Sequence, residues 1–266
     1  MNRALFPALV PALVGAMGYL TGEPPAIPRP LRVLTYNIHH GEGMDGRFDL
    51  PRLAGVITSL DPDLVALQEV DQGTARASGV NELTELGRLT GMHAAFGKAM
   101  DFQGGAYGVG VLSRRPIVQA DTHPLPGPPD REPRTALTVY VAMGEGGQLL
   151  QFTSAHFDQG RDPQNRIVQA GYLSELLDRG TREPSILAGD MNSRAEPEMM
   201  QMFGERWTDV FVDPEPPDPG RRRRRVDHVL ARPAERWRTI ESRVVDAPVA
   251  SDHRPVLVVL EWIENP

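Results

Sequence analysis

The chain of 266 residues contains no cysteine. That absence excludes a disulfide framework, a thiolate zinc site, a cysteine nucleophile and a lipobox anchor. It leaves the compartment open, because exported proteins without disulfides are common. Two enzyme signatures are also missing. The glycine-rich stretch Gly104-Gly105-Ala106-Tyr107-Gly108-Val109-Gly110 is not followed by Gly-Lys-Ser/Thr, so it is no P-loop. Ser154 and His156 are close in sequence, but no Gly-x-Ser-x-Gly elbow exists to build a hydrolase triad. The apolar run from Ala4 to Leu20 is interrupted by Pro7 and Pro11 and is short for a stable membrane span. No internal sequence repeat stands out.

Positive charge is in deficit. The formal net charge is −7, whereas nucleic-acid binding draws most of its affinity from Lys and Arg neutralising phosphates. The overall field therefore does not favour a non-specific nuclease. At the N-terminus, Met1-Asn2-Arg3 and the apolar run read as an export signal over residues 1–20, with small residues at Val14-Gly15-Ala16 for cleavage. The alternative is a loose N-terminal helix on a cytoplasmic protein. Residues 21–30 form a Pro-rich linker, and residues 31–266 the folded body, with no domain break inside it.

Apolar runs bounded by turn residues predict strands at Leu31–Ile38, Asp63–Gln68, Gly108–Leu112, Ala136–Ala142, Leu149–Ser154, Ser185–Ala188, Val226–Leu230, Ile240–Val245 and Val256–Leu260. Several are apolar throughout, which predicts burial on both faces. Helices are expected after Asp49, with Leu53, Val56, Ile57 and Leu60 on one face, and after Asn81, ending at Gly91. A third is expected from Asn165 to Arg179, stopped by Gly180, and a short fourth from Pro197 to Phe203. Helices alternating irregularly with strands and a hairpin indicate a mixed-sheet α/β protein. Asp213–Gly220 is expected to be an exposed loop.

Five polar motifs end strand-like runs: Asn37 before Ile38-His39-His40-Gly41, Glu69 after Leu67-Gln68, His156 in Ser154-Ala155-His156-Phe157-Asp158, Asp190 and Asn192 in Gly189-Asp190-Met191-Asn192, and Asp252-His253 after Ser251. A carboxylate ending an apolar strand needs solvent, a partner or a cation. Glu69 suits a hard divalent ion, which takes oxygen ligands and keeps several waters. Asn37 offers a carboxamide oxygen to a metal, or hydrogen bonds to a ligand. Gly189 lets the chain turn, and residues two apart in an extended segment share a side. Asp190 would then activate a water while Asn192 holds a phosphate oxygen. Arg134 opens a strand with a planar fork suited to phosphate. His39 and His40 are loop or pocket-lining residues, Arg76 and Asn81 shape access, and Asp158 orients His156. Arg221–Arg225 reads as a solvated loop, with binding of an anionic partner as the functional alternative.

The order and spelling of these motifs resemble the endonuclease/exonuclease/phosphatase superfamily of metal-dependent phosphoesterases, over about Leu31 to Ile263. The resemblance implies a four-layer α/β sandwich, two packed mixed sheets flanked by helices, with the active site at one rim. It places Asn37 beside the metal-binding Glu69, and His156 against the phosphate or the leaving oxygen. Asp227 matches the position that pairs with His253, whose imidazolium stabilises the transition state. Asp252 assists the metal or His253, and Tyr107 lies near the phosphate. The expected cofactor is Mg²⁺ or Mn²⁺. The expected substrate is a phosphate ester, a lipid headgroup or small phosphodiester, with nucleic acid as the alternative. Oligomeric state leaves no trace in the sequence.

Overall fold

A computed structural model describes residues 30–143, 148–179, 183–194, 197–212 and 225–263. The expected export signal, nearly all of the linker, Gly180, the loop Asp213–Gly220 and Arg221–Arg224 lie outside the described residues. The strands are β1 Leu31–Asn37, β2 Leu64–Gln72, β3 His93–Phe102, β4 Gly105–Ser113, β5 Ile117–Pro124, β6 Thr135–Met143, β7 Gln148–His156, β8 Ser185–Asp190, β9 Thr208–Asp209, β10 Asp227–Arg232, β11 Trp237–Val244 and β12 Val256–Trp262. The helices are α1 Leu50–Ser59, α2 Glu82–Thr90, α3 Gln164–Asp178 and α4 Pro197–Gln201.

These strands make two six-stranded mixed sheets, ordered β11-β12-β1-β2-β4-β3 and β5-β6-β7-β8-β10-β9. Each sheet holds one parallel pair joined by a helix, β1-α1-β2 in the first and β7-α3-β8 in the second. In each, the parallel pair is flanked by antiparallel neighbours, β12 and β4 in one and β6 and β10 in the other. The architecture thus repeats where the sequence shows no repeat, because the same strand order tolerates different apolar side chains.

Alternation along β1 shows how the layers form. Val33 faces the second sheet, in a core with Ala66, Val139, Phe152, Ile186 and Val258. Leu34 and Tyr36 point the other way, onto Leu53 and Ile57 of α1 and Leu83 and Leu86 of α2. On the far side, Leu173 and Leu177 of α3 cover Ala155, Leu187 and Leu230. Both faces of the central strands are covered, which is why their sequences are apolar throughout. The outcome is the expected sandwich, helices outside two packed sheets.

Local signals placed the helices well. Asp49 caps α1 by accepting the Arg52 N–H, and Asn81 caps α2 by accepting that of Thr84. Gly91 ends α2 at φ 70°, a conformation that favours glycine. Strands β3, β5 and β9 escaped the sequence reading. In β3 half-buried apolar residues are broken up by Gly97, Lys98 and Asp101, β5 is largely exposed, and β9 has only two residues.

Glu82, at the start of α2, is fully buried, and its Oε2 accepts the Asp71 N–H at 2.7 Å. Burial raises its carboxyl from 4.5 to about 8; the Asp71 N–H and Arg76 oppose the shift, while the Asp71 charge adds to it. The folded state then keeps a proton that the unfolded chain releases, so stability is lost as pH rises from about 4.5 to about 8. Glu82→Gln is expected to flatten that decline. Melting curves across this range test it, and wild-type and variant profiles that run parallel would refute it.

Candidate active site

Parallel strands direct their carboxyl ends to one rim, the usual place for a ligand in an α/β sheet. Asn37 ends β1, His156 ends β7 and Asp190 ends β8, with His156 and Asp190 paired in register. Glu69 lies inside β2, and a bulge aims it. The register against β4 shifts between Gln68 and Val70, and Glu69 takes φ 55°. A left-handed non-glycine residue at a bulge is a strained device that redirects one side chain while the strand continues.

Asn37 joins the two halves. Its fully buried amide Nδ2 donates to Glu69 Oε1 at 2.9 Å and to Asp190 Oδ2 at 3.2 Å, while its Oδ1 accepts the His39 N–H at 3.1 Å. The main chain of Asn37 is fixed in turn, because Ser251 Oγ donates to its carbonyl at 2.8 Å. Residues more than 200 positions apart thus share one pocket wall.

Asp190 is the centre. Its Oδ2 lies 3.6 Å from the Nε2 of both His156 and His253, and its Oδ1 accepts the Asn192 N–H at 2.8 Å. Burial first, and then the Asp227 charge, lift its carboxyl to about 7, against the pull of His253 and the hydrogen bonds from Asn192 and Asn37. Asp227 is its register partner on β10. Two carboxylates facing one another repel, and His253 relieves them by reaching Asp227 Oδ2 with Nδ1 at 3.2 Å and Asp190 with Nε2. Burial disfavours the charged ring, but the Asp227 hydrogen bond and the charges of Asp227, Asp190 and Asp252 prevail and raise His253 to about 9.

His156 is set oppositely. It is buried against Arg134, whose Nη1 lies 3.0 Å from Nδ1 and 3.2 Å from Nε2. Burial, Arg134 and His253 all push its basicity down, so the ring is neutral. Of its two expected roles, contact with phosphate fits a neutral imidazole better than proton donation. Arg134 also pairs with Glu132 at 2.7 Å. Tyr107 is buried beside them and hydrogen-bonds Glu132; burial, then the charges of Glu69 and Glu132, push its hydroxyl up.

Several expectations need correction. Gly189 makes no turn: it lies inside β8, and a β-carbon there would run into the Ala155 backbone of β7. Asn192 does not share an extended segment with Asp190. The strand ends at Asp190, Asn192 turns at φ 48°, and its Nδ2 donates to the Phe157 carbonyl at 3.0 Å. Asp158 does not orient His156. Its Oδ2 accepts from Gly160 N and Asn165 Nδ2, which shapes the following turn.

The remaining candidates spread around the rim. Asp252 is exposed, its Oδ1 3.2 Å from Ser251 Oγ. Arg76 is held by the buried Asp71 through Nε and Nη2 at 2.6 and 2.9 Å and lies over Phe102 and Tyr107. His39 and His40 both take left-handed φ, their rings 4.5 Å apart and tilted by 45°. Of the arginine run, Arg225 donates to Asp209 and lies over the Phe211 ring. Glu132 and Ser251 were missed as site residues. Ser251 had a signal, its place beside Asp252-His253. Glu132 had none, since its role depends on a loop folding onto β7.

Oxygen donors of this kind fit a hard divalent cation. Asp227 Oδ1 is buried with no partner, a polar atom that a cation or its water would satisfy. Asp190, Asp227 and His253 present ligand atoms within 4.8 Å of one another. The ring of His253 already lies between two carboxylates, and Glu69, bridged to Asp190 by the Asn37 amide, offers a further oxygen donor.

The chain is 27% identical over 171 residues to the uncharacterized protein YbhP of Escherichia coli K12, a match covering 60% of this chain and 66%, just under two thirds, of that protein. The fold superposes on an endonuclease/exonuclease/phosphatase from Beutenbergia cavernae with a TM-score of 0.72 and 26% identity, over 88% of this chain and 72% of that one. It also matches the catalytic domain of human Nocturnin, with a TM-score of 0.68 and 17% identity, over 88% and 95% of the two chains. The sequence profile of the Endonuclease/Exonuclease/phosphatase family covers residues 34–253, and the chain belongs to that family.

Proposed function

We propose that this protein is a divalent-metal-dependent phosphodiesterase that hydrolyses a phospholipid headgroup or small phosphodiester by in-line attack of water. One observation carries the reading: the Asn37 amide bridges Glu69 and Asp190, while two histidines converge on the same Asp190 oxygen. Glu69 and Asn37 would hold Mg²⁺ or Mn²⁺, with Asp252 near the rim. Bound there, the ion supplies Lewis-acid polarisation of the phosphoryl group and stabilises the leaving oxygen.

The chain's own groups do the rest. Asp190, poised near neutrality, takes the proton of the attacking water, as a general base requires. His253, held cationic by Asp227, stabilises the negative charge that develops on the phosphorus oxygens. Neutral His156 and Arg134 face the same oxygens as donors. Asn192 acts through its main chain, whose N–H fixes the Asp190 carboxylate.

A metal-dependence panel tests this. Bis-p-nitrophenyl phosphate, p-nitrophenyl phosphate, choline- and inositol-type phospholipids and plasmid DNA are compared with Mg²⁺ or Mn²⁺, with and without EDTA. Diester cleavage abolished by EDTA is expected. EDTA-resistant turnover would sink the metal assignment, and cleavage of the monoester alone would make the enzyme a phosphatase. Preference for DNA, falling steeply with added salt, would make it a nuclease.

A further inference from the structure

The turn that follows Asp190 is held at every residue. The Asp190 carbonyl accepts the Phe157 N–H at 2.9 Å, and Met191 N donates to the Val226 carbonyl at 2.9 Å. Asn192 Nδ2 donates to the Phe157 carbonyl, and the Ser193 carbonyl lies 2.7 Å from His228 Nε2. Asn192 takes φ 48° within this turn. A left-handed non-glycine residue persists only where its surroundings over-determine it. The same residue supplies the N–H that fixes the Asp190 carboxylate at 2.8 Å.

His228 reaches the turn from behind. It follows Asp227 on β10, and successive side chains of a strand point to opposite faces. Asp227 points between the sheets to His253, on the face of Val229 and Ala231. His228 points outward, on the face of Leu230, which packs with the residues of α3. It stands one residue from the pocket and faces away from it.

The ring is 1% exposed and engaged at both nitrogens. A carbonyl can only accept, so Nε2 carries the hydrogen that meets Ser193. Nδ1 lies 3.0 Å from Asp209 Oδ2 and 3.2 Å from Arg225 Nη1, and so has a partner with or without a proton. Asp209 also accepts from Arg225 Nη2 at 2.7 Å and, through Oδ1, from the Phe211 N–H at 3.0 Å. Burial pushes the Asp209 carboxyl up, but His228 and Arg225 prevail and hold it below its usual range. A carboxylate and a guanidinium are thus both committed to orienting one imidazole.

Building on the reading of Asp190 as the general base, we propose that His228 is a positioning residue for it. Held by Asp209 and Arg225, the ring grips the Ser193 carbonyl and keeps the strained Asn192 turn closed, so that the Asn192 N–H stays on the Asp190 carboxylate. Arg225, the last of the arginine run, then serves as an anchor behind the site rather than a contact for an anionic partner.

Three variants of the full-length protein test this. His228→Met removes the donor at little change in volume. His228→Gln keeps a donor in the place of Nε2. Asp209→Asn leaves the ring and removes the charge that holds Nδ1. Melting temperature is measured for each, with kcat and KM on bis-p-nitrophenyl phosphate in the presence of metal. The Asn192 amide resonance is followed in EDTA by NMR of protein labelled with 15N-asparagine. An N–H donated to a carboxylate is deshielded, so the wild-type resonance is expected downfield. We expect His228→Met to move it upfield and to lower kcat about tenfold, the loss expected for one hydrogen bond, with KM unchanged. His228→Gln should restore both, and Asp209→Asn should fall between. An unmoved resonance and unchanged kcat in His228→Met, a His228→Gln variant as impaired as His228→Met, or losses that follow melting temperature would overturn the proposal and leave the cluster a brace for β9. If His228→Met does not fold, an Asn192 resonance at its wild-type position in Asp209→Asn overturns it instead. If no phosphodiester is turned over, a resonance that moves in His228→Met and returns in His228→Gln supports the clamp and counts against the enzymatic reading.

Discussion

Asp190→Asn is expected to lower kcat by about 10²- to 10⁴-fold, the usual worth of a positioned general base, without lowering the melting temperature. The two halves of that expectation have one cause. The carboxylate is buried, faces Asp227 across the β8–β10 ladder, and is lifted to about 7 by that environment. A neutral amide removes the repulsion and still accepts the Asn192 N–H, which offsets the loss of the hydrogen bond from Asn37. What it cannot do is take a proton from water. Stability given up for a charged catalytic group is a familiar trade. Circular-dichroism melts and initial rates on bis-p-nitrophenyl phosphate with metal decide the matter. Near wild-type turnover would remove Asp190 from the mechanism, and a collapsed melt would recast it as a structural carboxylate.

His253→Ala is expected to cost about 10²- to 10³-fold in kcat, the range for losing one electrostatic stabiliser of a developing oxyanion. Its coupling to Asp227 gives a sharper test. If Asp227 acts by fixing and charging the imidazole, the double variant with Asp227→Asn should be scarcely slower than His253→Ala alone. Four kcat values close the cycle. Losses that multiply would show that Asp227 works independently, for instance through its unpartnered Oδ1. Both variants leave the apolar layers untouched.

The legible and illegible parts of this protein divide along a physical line. Caps and stops of α1 and α2 were readable because they depend on neighbours three residues away, as with Asn81 and Thr84. Central strands were readable because burial on two faces demands an unbroken apolar run. β3 and β5 were not, since an edge strand that is only partly covered needs no unbroken apolar run. The residue types of the candidate site were visible at strand ends, but the geometry that sets their protonation was not. Gly189 looked like a turn and is a point of close strand approach; Asn192 looked like part of an extended segment and is a turn whose main-chain N–H buttresses Asp190.

By itself, then, the sequence determined the composition of the site and of the layers: which carboxylates, amides and imidazoles end apolar strands, and which helices cover them. The tertiary structure alone decided the electrical state of those groups. Asp190 owes its raised proton affinity to burial and the Asp227 charge, His156 its lowered one to burial and Arg134, and His253, against burial, its raised one to Asp227. Proton affinity is set by burial and by charges a few ångströms away, and only the packing of two sheets creates those neighbours. The same holds for the turn after Asp190, whose anchors Phe157, Val226 and His228 come from other stretches of the chain.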